Sequence, residues 1–432
     1  MNVQQLGVRT ARIDEGILFV LGLCSTWQIV KIGSFALFTP LLLAAMLYFL
    51  LSRKPVLRRD WMLWAMLILY TVTTLLSPVR SIRSDYKSVA VMAYIQWLAA
   101  LILCQYASQS NTMDGTGAFL RGFDCSCYVQ LGWCIAQLLL YKLFEIDLNR
   151  LVFGQLLGYQ GTVSHYREGV LSPSGLHWHA ANMVPILVFT FFRNKSLPVK
   201  LICVAVAYFT KQATALIAVF LCVGCELLVV AKRMLLDHHG KMKRKNAILG
   251  LTVLGVCVLL GGVLLPKIQS MLSYLMLRML NALNFNMDDL SSATHLSYYT
   301  CIPYIYARIP VSQILLGAGM NTSGYYFSQF FLQYTDQTWV LESDFANLLL
   351  STGILGTAAH YLFIFVTVWR MHKNDKEERG SWALLVLIAC GFFYNNQFNW
   401  VLLAELMLYA DTRRKKRLKG LNPQPDIQGR ST

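Results

Sequence analysis

Residues 88–107 read SVAVMAYIQWLAALILCQYA, twenty positions without one charged side chain, directly after Lys87. A bilayer core is ~30 Å thick, so a crossing α-helix needs ~20 mostly apolar residues. This stretch meets that demand, and it does not stand alone. Working outward, further apolar segments lie near 16–31, 34–51 and 61–78 before it. Others follow near 125–144, 175–192, 197–210, 213–231, 247–265, 343–369, 381–396 and 398–410. The pair 197–210 and 213–231 is too long for a single span and is broken only by Lys211-Gln212, which reads as a tight external hairpin. The expected fold class is therefore all-α, a polytopic integral membrane protein with about 12 transmembrane helices.

Composition points the same way. Apolar residues make up 56% of the chain and charged residues 14%, too little polarity for the surface of a soluble protein of 432 residues. The formal charge of +16 raises nucleic acid as a partner. The basic residues instead cluster in short loops between apolar segments, as membrane topology demands, so no nucleic acid is expected. Most of the 11 cysteines fall inside apolar segments, among them Cys24, Cys104, Cys134, Cys203, Cys222, Cys257 and Cys390. They read as small hydrophobes. Cys222-Val-Gly-Cys225 has no second pair, so neither a disulfide framework nor a zinc site is expected. No Walker loop, dinucleotide fingerprint or Gly-x-Ser-x-Gly elbow is present, so no metal and no cofactor is expected. Arg12-Ile13-Asp14-Glu15 lacks a cleavable-signal pattern, and the first apolar segment reads as a retained helix.

With both termini in the cytoplasm, 27 of the 38 lysines and arginines fall on the inner side. They include Arg53-Lys54, Arg58-Arg59, Lys241 to Lys245 and Arg413 to Arg417, and the reverse orientation would invert the ratio. Six parts follow. Helices fill 1–144, a first external loop spans 145–174, and central helices fill 175–265. A second external loop spans 266–342, C-terminal helices fill 343–410, and a basic cytoplasmic tail covers 411–432, Pro/Gln/Gly-rich after Lys419. Within the second loop, 267–285 reads as an interfacial helix, 296–308 as another helix, and Gly317 to Gly324 as a turn-rich linker before the aromatic run Tyr325 to Trp339.

Ionisable groups at a membrane are costly and invite a functional reading. Three neighbourhoods qualify. The first is His165-Tyr166-Arg167-Glu168-Gly169 with Ser172 to His179 and Asn182. Cations, hydroxyls, Trp178 and the imidazoles of His177 and His179 could hold a phosphate and stack a sugar; an interfacial aromatic belt is the competing reading. The second is Arg308 near Pro310 and Gly317-Ala318-Gly319, a planar fork for phosphate oxygens or an ordinary headgroup contact. The third is Glu342-Ser343-Asp344 opening a long apolar helix. Its carboxylates suit general-base duty, and capping of the helix is the plainer alternative. Lys211, Glu226 and Glu405 are further boundary or intramembrane charges, with weaker signals.

At these residues the chain resembles the O-antigen polymerase and O-antigen ligase superfamily over approximately 165–370. Arg167 to Asn182, with Ser174-Gly175-Leu176 and His179, is similar to the family's R-x-S-G-L-F-x-H/E-P-N segment. Thr210-Lys211-Gln212-Ala213 stands where members have an S-R-T-A-like turn, with Lys211 in place of the arginine. Arg308, Pro310 and Gly317-Ala318-Gly319 match the end of the large loop. Glu342 through Gly356 resembles H-N-x-x-L-x-x-L-x-x-x-G-x-x-G, with Glu342 where ligases carry histidine. That departure favours a polymerase. Arg150 with Gly161 and Arg308 with Gly319 also fit the arginine–ten residues–glycine motif of some polymerases.

The resemblance implies a membrane glycosyltransferase, inverting and metal-independent, in a bacterial plasma (inner) membrane. It would polymerise undecaprenyl-diphosphate-linked oligosaccharide repeat units into O-antigen, capsule or exopolysaccharide. It further implies Glu342, Asp344, His179 and His177 as catalytic candidates, and Arg308, Arg167, Arg150, Lys211 and Trp178 as diphosphate or substrate binders. Membrane lipids, chain-length regulator and flippase proteins are the implied partners. An O-antigen ligase, a lipid-linked oligosaccharide flippase and a scaffold without chemistry remain as alternatives.

The topology has a direct test in a cysteine-free background. An impermeant thiol reagent on intact cells should label Asp289→Cys and leave Lys243→Cys unlabelled. Labelling of the second and not the first would reverse the orientation.

Overall fold

No water is present in a bilayer core to satisfy backbone N–H and C=O groups, so an apolar chain closes its hydrogen bonds within helices. The computed structural model describes residues 3–33, 35–52, 60–77, 84–109, 114–159, 163–167, 169–235, 290–331, 341, 343–374, 380–392, 394 and 399–421, and these are mostly helical. Among the described residues, three helices are long and apolar enough to cross a membrane: Lys87–Ser108, Gly115–Phe144 and Gly353–Lys373. Shorter apolar helices stand beside them, including Phe38–Ser52, Trp61–Leu76, Leu197–Phe209 and Gly380–Gly391.

The elements run as follows. α1 (Val3–Cys24) leads through the two-residue strands β1 (Lys31–Ile32) and β2 (Phe35–Ala36) to α2 (Phe38–Ser52). α3 (Trp61–Leu76), α4 (Ser84–Gln109) and α5 (Gly115–Phe144) follow. A π-helical turn (Arg150–Leu156) precedes β3 (His165–Arg167), which pairs antiparallel with β4 (Val170–Ser172). A 3-10 turn (Ala180–Met183) opens α6 (Val184–Arg193), and α7 (Leu197–Phe209) and α8 (Ala213–Leu235) come next. α9 (Leu290–Tyr306), α10 (Val311–Leu316), α11 (Gly324–Phe330), α12 (Asp344–Ser351), α13 (Gly353–Asn374), α14 (Gly380–Gly391) and α15 (Asn399–Leu421) complete the described chain.

One large apolar core joins α1–α8 and α13–α15, with Trp97, Phe119, Phe123, Phe189, Phe192, Phe363, Trp400 and Tyr409 fully buried. Its tightest seam is the crossing of α1 and α5. A Cβ on Gly22 would strike the Phe119 carbonyl oxygen, and one on Gly122 would strike that of Phe19. Small residues let two backbones approach where lipid supplies no hydrophobic drive between helices. At one end of the bundle, ion pairs tie the last helix to the starts of others. Arg413 meets Asp60 before α3, Arg414 meets Asp114 before α5, and Arg193 makes a forked pair with Asp124.

Several elements differ from the hydropathy reading. The first segment, expected over 16–31, is a helix ending at Cys24, because Ser25 and Thr26 turn the chain and Thr26 bonds Ser126 at 2.6 Å. The helix expected from 175 starts only at Ala180. Gly175 takes φ +62°, and the N–H groups of Gly175 and Leu176 donate to Gln137 and Gln130 of α5 at 3.0 and 2.7 Å. The segment 343–369 is two helices, α12 and α13, parted at Thr352–Gly353. The loop 145–174 carries a β-hairpin and a π-turn. α15 runs past 410 to Leu421, because Arg413 and Arg414 are held by Asp60 and Asp114. The chain breaks at Lys211-Gln212, between α7 and α8, where the sequence interrupts its apolar run. The segment 247–265, the stretch 267–285 and the tail after 421 lie outside the described residues.

The α1–α5 crossing predicts opposite outcomes for two glycines of one helix. Gly122→Ala overpacks a backbone contact and should cost about 1–3 kcal/mol, read as a lower Tm in detergent. Gly132→Ala, with open space at its Cβ, should hold or raise Tm. Equal melting of the two variants would refute the close crossing.

Candidate functional site

The break between α12 and α13 is built by a second stretch of chain far away in sequence. Ala318 and Gly319 donate their N–H groups to the carbonyls of Leu350 and Ser351, both at 2.8 Å. Gly317 (φ +78°) and Gly353 (φ +68°) face each other across this contact. A Cβ on Gly317 would strike the Ser351 carbonyl, and one on Gly353 the Leu315 carbonyl. Only glycine fits both the left-handed backbone and the approach. The Gly317-Ala318-Gly319 motif and the 342–356 motif are thus joined backbone to backbone. Ser77 adds its hydroxyl to the Ala318 carbonyl.

This junction aims the start of α12 at a partly open cavity of about 70 Å³ that carries several polar groups. α12 lines it with Asp344 and Asn347, α13 with His360 and Tyr361, and α15 with Asn399 and Glu405. Apolar walls come from Tyr70 of α3, Trp97 of α4 and Ile388 of α14. Ser343 is the N-cap of α12, its hydroxyl accepting from Ala346 N–H at 3.3 Å and bonding Tyr299 at 2.7 Å. Capping therefore belongs to Ser343, and the Asp344 carboxylate lies buried in the first helical turn, where the helix dipole favours it. Gly391 packs so close that a Cβ there would lie 2.6 Å from Asp344 Oδ2. Asn347 is oriented by hydroxyls, accepting from Ser323 at 2.7 Å and Ser351 at 3.1 Å. No lysine or arginine is among the lining residues.

A second polar neighbourhood gathers around the β3–β4 hairpin. The rings of His165 and His179 lie 4.0 Å apart, and Gln212 sits 3.2 Å from His165 Nε2. His179 Nδ1 accepts from Ala181 N–H at 3.2 Å, so that nitrogen is unprotonated and caps the 3-10 turn. Lys211 takes a left-handed backbone (φ +52°) at the apex of the α7–α8 turn, next to Gln212. His177 turns the other way. It is fully buried, donates from Nδ1 to Gln28 Oε1 at 3.0 Å, and packs on Trp400. Asn182 bonds the same Gln28 oxygen at 3.1 Å and accepts from Tyr394 at 2.7 Å. Trp400 follows Asn399 of the cavity, so α15 borders both neighbourhoods at its first turn.

The remaining predicted site residues are scattered. Arg308 is exposed beyond α9, stacked 3.4 Å over the Tyr304 ring and donating to the Tyr304 carbonyl at 3.1 Å; it does not line the cavity. Arg150 is exposed at the start of the π-turn, near Asp147. Asp147 accepts from Ser164 at 2.7 Å and from Tyr166 at 2.6 Å. Burial and then this carboxylate push the Tyr166 phenol upward, so it stays a donor. Trp178 is half-buried beneath Lys31, whose Nζ lies 4.1 Å from its ring centroid. The backbone of Arg167 pairs with Val170. Glu342 and Gly161 lie outside the described residues.

Sequence reasoning passed over His360 and gave Glu405 little weight. Each is a lone ionisable residue in an apolar helix, which is itself the available signal. It also passed over Gln130 and Gln137, seven apart on α5 and hence on one face, which hold the 175–176 turn. No family model matches this chain, and no curated protein matches it.

Proposed function

We propose that the chain is a membrane glycosyltransferase that polymerises undecaprenyl-diphosphate-linked repeat units at the outer face of a bacterial plasma membrane. In this reading both termini are cytoplasmic, about 12 helices span the bilayer, and 145–174 and 266–342 stand outside. One observation carries it. The two segments most like the polymerase pattern, Arg308 to Gly319 and 342 to Gly356, meet backbone to backbone beside a partly open cavity that holds a carboxylate. Asp344 would take the proton from an acceptor sugar hydroxyl as that oxygen attacks the anomeric carbon of the donor glycan. The bond to the diphosphate would break, its electron pair leaving on the diphosphate oxygen. Arg308, exposed and pre-oriented by Tyr304, would neutralise that charge. The His165–His179 neighbourhood with Lys211 and Trp178 would bind sugar and phosphate groups of the substrate.

A second reading has its own support. The helix broken between α12 and α13 and the buried Glu405 and His360 are features that secondary transporters use near the membrane midplane. A flippase for lipid-linked oligosaccharide would use the same cavity for coupling ions.

Reconstitution with lipid-linked repeat units separates the two. Polymerisation gives a ladder of products; transport gives transbilayer movement with no new glycosidic bond. For a polymerase, Asp344→Asn should slow single-turnover transfer by ~10²-fold or more at unchanged Tm. Arg308→Ala should impair turnover more than Arg308→Lys, which keeps the charge without the fork. Wild-type rates from Asp344→Asn would remove it as the base.

A further inference from the structure

We propose that Glu405 and His360 form a buried proton relay behind Asp344, carrying the acceptor's proton away from the reacting end; this rests on the glycosyl-transfer reading. Both side chains line the cavity that Asp344 enters, Glu405 from α15 and His360 from α13. They are 6% and 8% exposed, and among the described residues neither makes a hydrogen bond or an ion pair. A buried carboxylate without a partner costs several kcal/mol when charged, so such a residue persists where proton exchange is its use.

The space suits water and not sugar. About 70 Å³ holds several waters, whereas pockets for larger ligands start at roughly 300 Å³. Waters there would fill the lining to which Asp344, Glu405 and His360 all contribute. The groups facing Glu405 are known for each neighbouring element. α3 presents the Tyr70 hydroxyl, α12 presents Asp344, and α13 presents His360 and Tyr361. α4 and α14 present no titratable side chain to the cavity, and no described lining residue is cationic. A proton arriving on Asp344 therefore meets His360 as a neutral acceptor and Glu405 as a carboxyl, held uncharged by that cost, that takes a proton on one oxygen as it gives up its own; no described lining residue is a fixed cation that would repel it.

The step balances. The acceptor oxygen bonds the anomeric carbon, the carbon–diphosphate bond breaks with its electron pair going to the diphosphate, and the hydroxyl proton goes to Asp344. Before the next turnover Asp344 must lose that proton. It passes through cavity water to His360 and Glu405, which return to their starting state by releasing it in turn.

Pre-steady-state kinetics of the reconstituted full chain tests this. Glu405→Gln should leave the first turnover within about twofold of wild type and slow later turnovers on the order of 10²-fold, producing a burst. Added imidazole should restore the steady state in part. His360→Gln should give the same burst independently, each variant melting as wild type does. Loss of the first turnover along with later ones, or wild-type steady-state rates in both variants, would overturn the relay. Wild-type vesicles that make no polymer would refute the transferase reading and the relay with it.

Discussion

The contact on which the site depends is the pairing of Gly317-Ala318-Gly319 with the end of α12. Two backbone hydrogen bonds of 2.8 Å hold it, and no side chain could stand between the strands of chain that make it. It ends one helix at Ser351 and restarts another at Gly353, at a place where the sequence is otherwise apolar and helix-prone. Backbone groups freed at such a break must find partners within the protein, since lipid offers none. The Gly317–Gly319 turn supplies them. With the break fixed, the first turn of α12 meets α13 and α14, and Asp344 lines the cavity together with residues of α15.

Elsewhere the same constraint is met by polar side chains inside the helices. Asn149 is fully buried and holds three parts of the chain. Its amide donates to the carbonyls of Val163 and Gly175 at 3.0 and 3.1 Å, and its oxygen accepts from Trp133 at 2.7 Å. Gln130 and Gln137 bolt the next turn to α5. At the opposite end of α5, the pairs Asp114–Arg414 and Asp124–Arg193 fix where helices start and stop. Polar contacts thus set the ends and apolar packing fills the length. The cavity departs from this rule. Glu405 and His360 are ionisable and buried, and among the described residues neither has a hydrogen-bond or ion-pair partner.

Much of the helical plan was legible in hydropathy. The run 88–107 lies inside α4, and the lone Lys211-Gln212 interruption marks the α7–α8 turn. Other features were not legible, for physical reasons. Thr352-Gly353 reads as helix interior because its break is imposed by Gly317 to Gly319, more than 30 positions earlier, through backbone contacts that leave only glycine as a trace. The basic run after 410 reads as a loose tail because its partners, Asp60 and Asp114, are hundreds of positions away. Asp344 was visible beside Ser343, although its cap belongs to the serine. His360 and Glu405 each stand out only as a lone ionisable residue in an apolar helix, and the meeting of α13 and α15 brings both to one cavity. The two histidines at 177 and 179, grouped together in the sequence reading, part in the turn before the 3-10 helix, one toward Gln28 and one toward His165.

If Asp344 is the base for glycan transfer, the acceptor sugar must sit at the mouth of its cavity. The most direct measurement is photocrosslinking in nanodiscs, using a lipid-linked repeat unit with a photoreactive group on its acceptor sugar and mapping the labelled peptides. Labels are then expected within 341–351 and 394–402. Labels confined to the opposite end of the bundle, around Asp60 and Asp114, would contradict it.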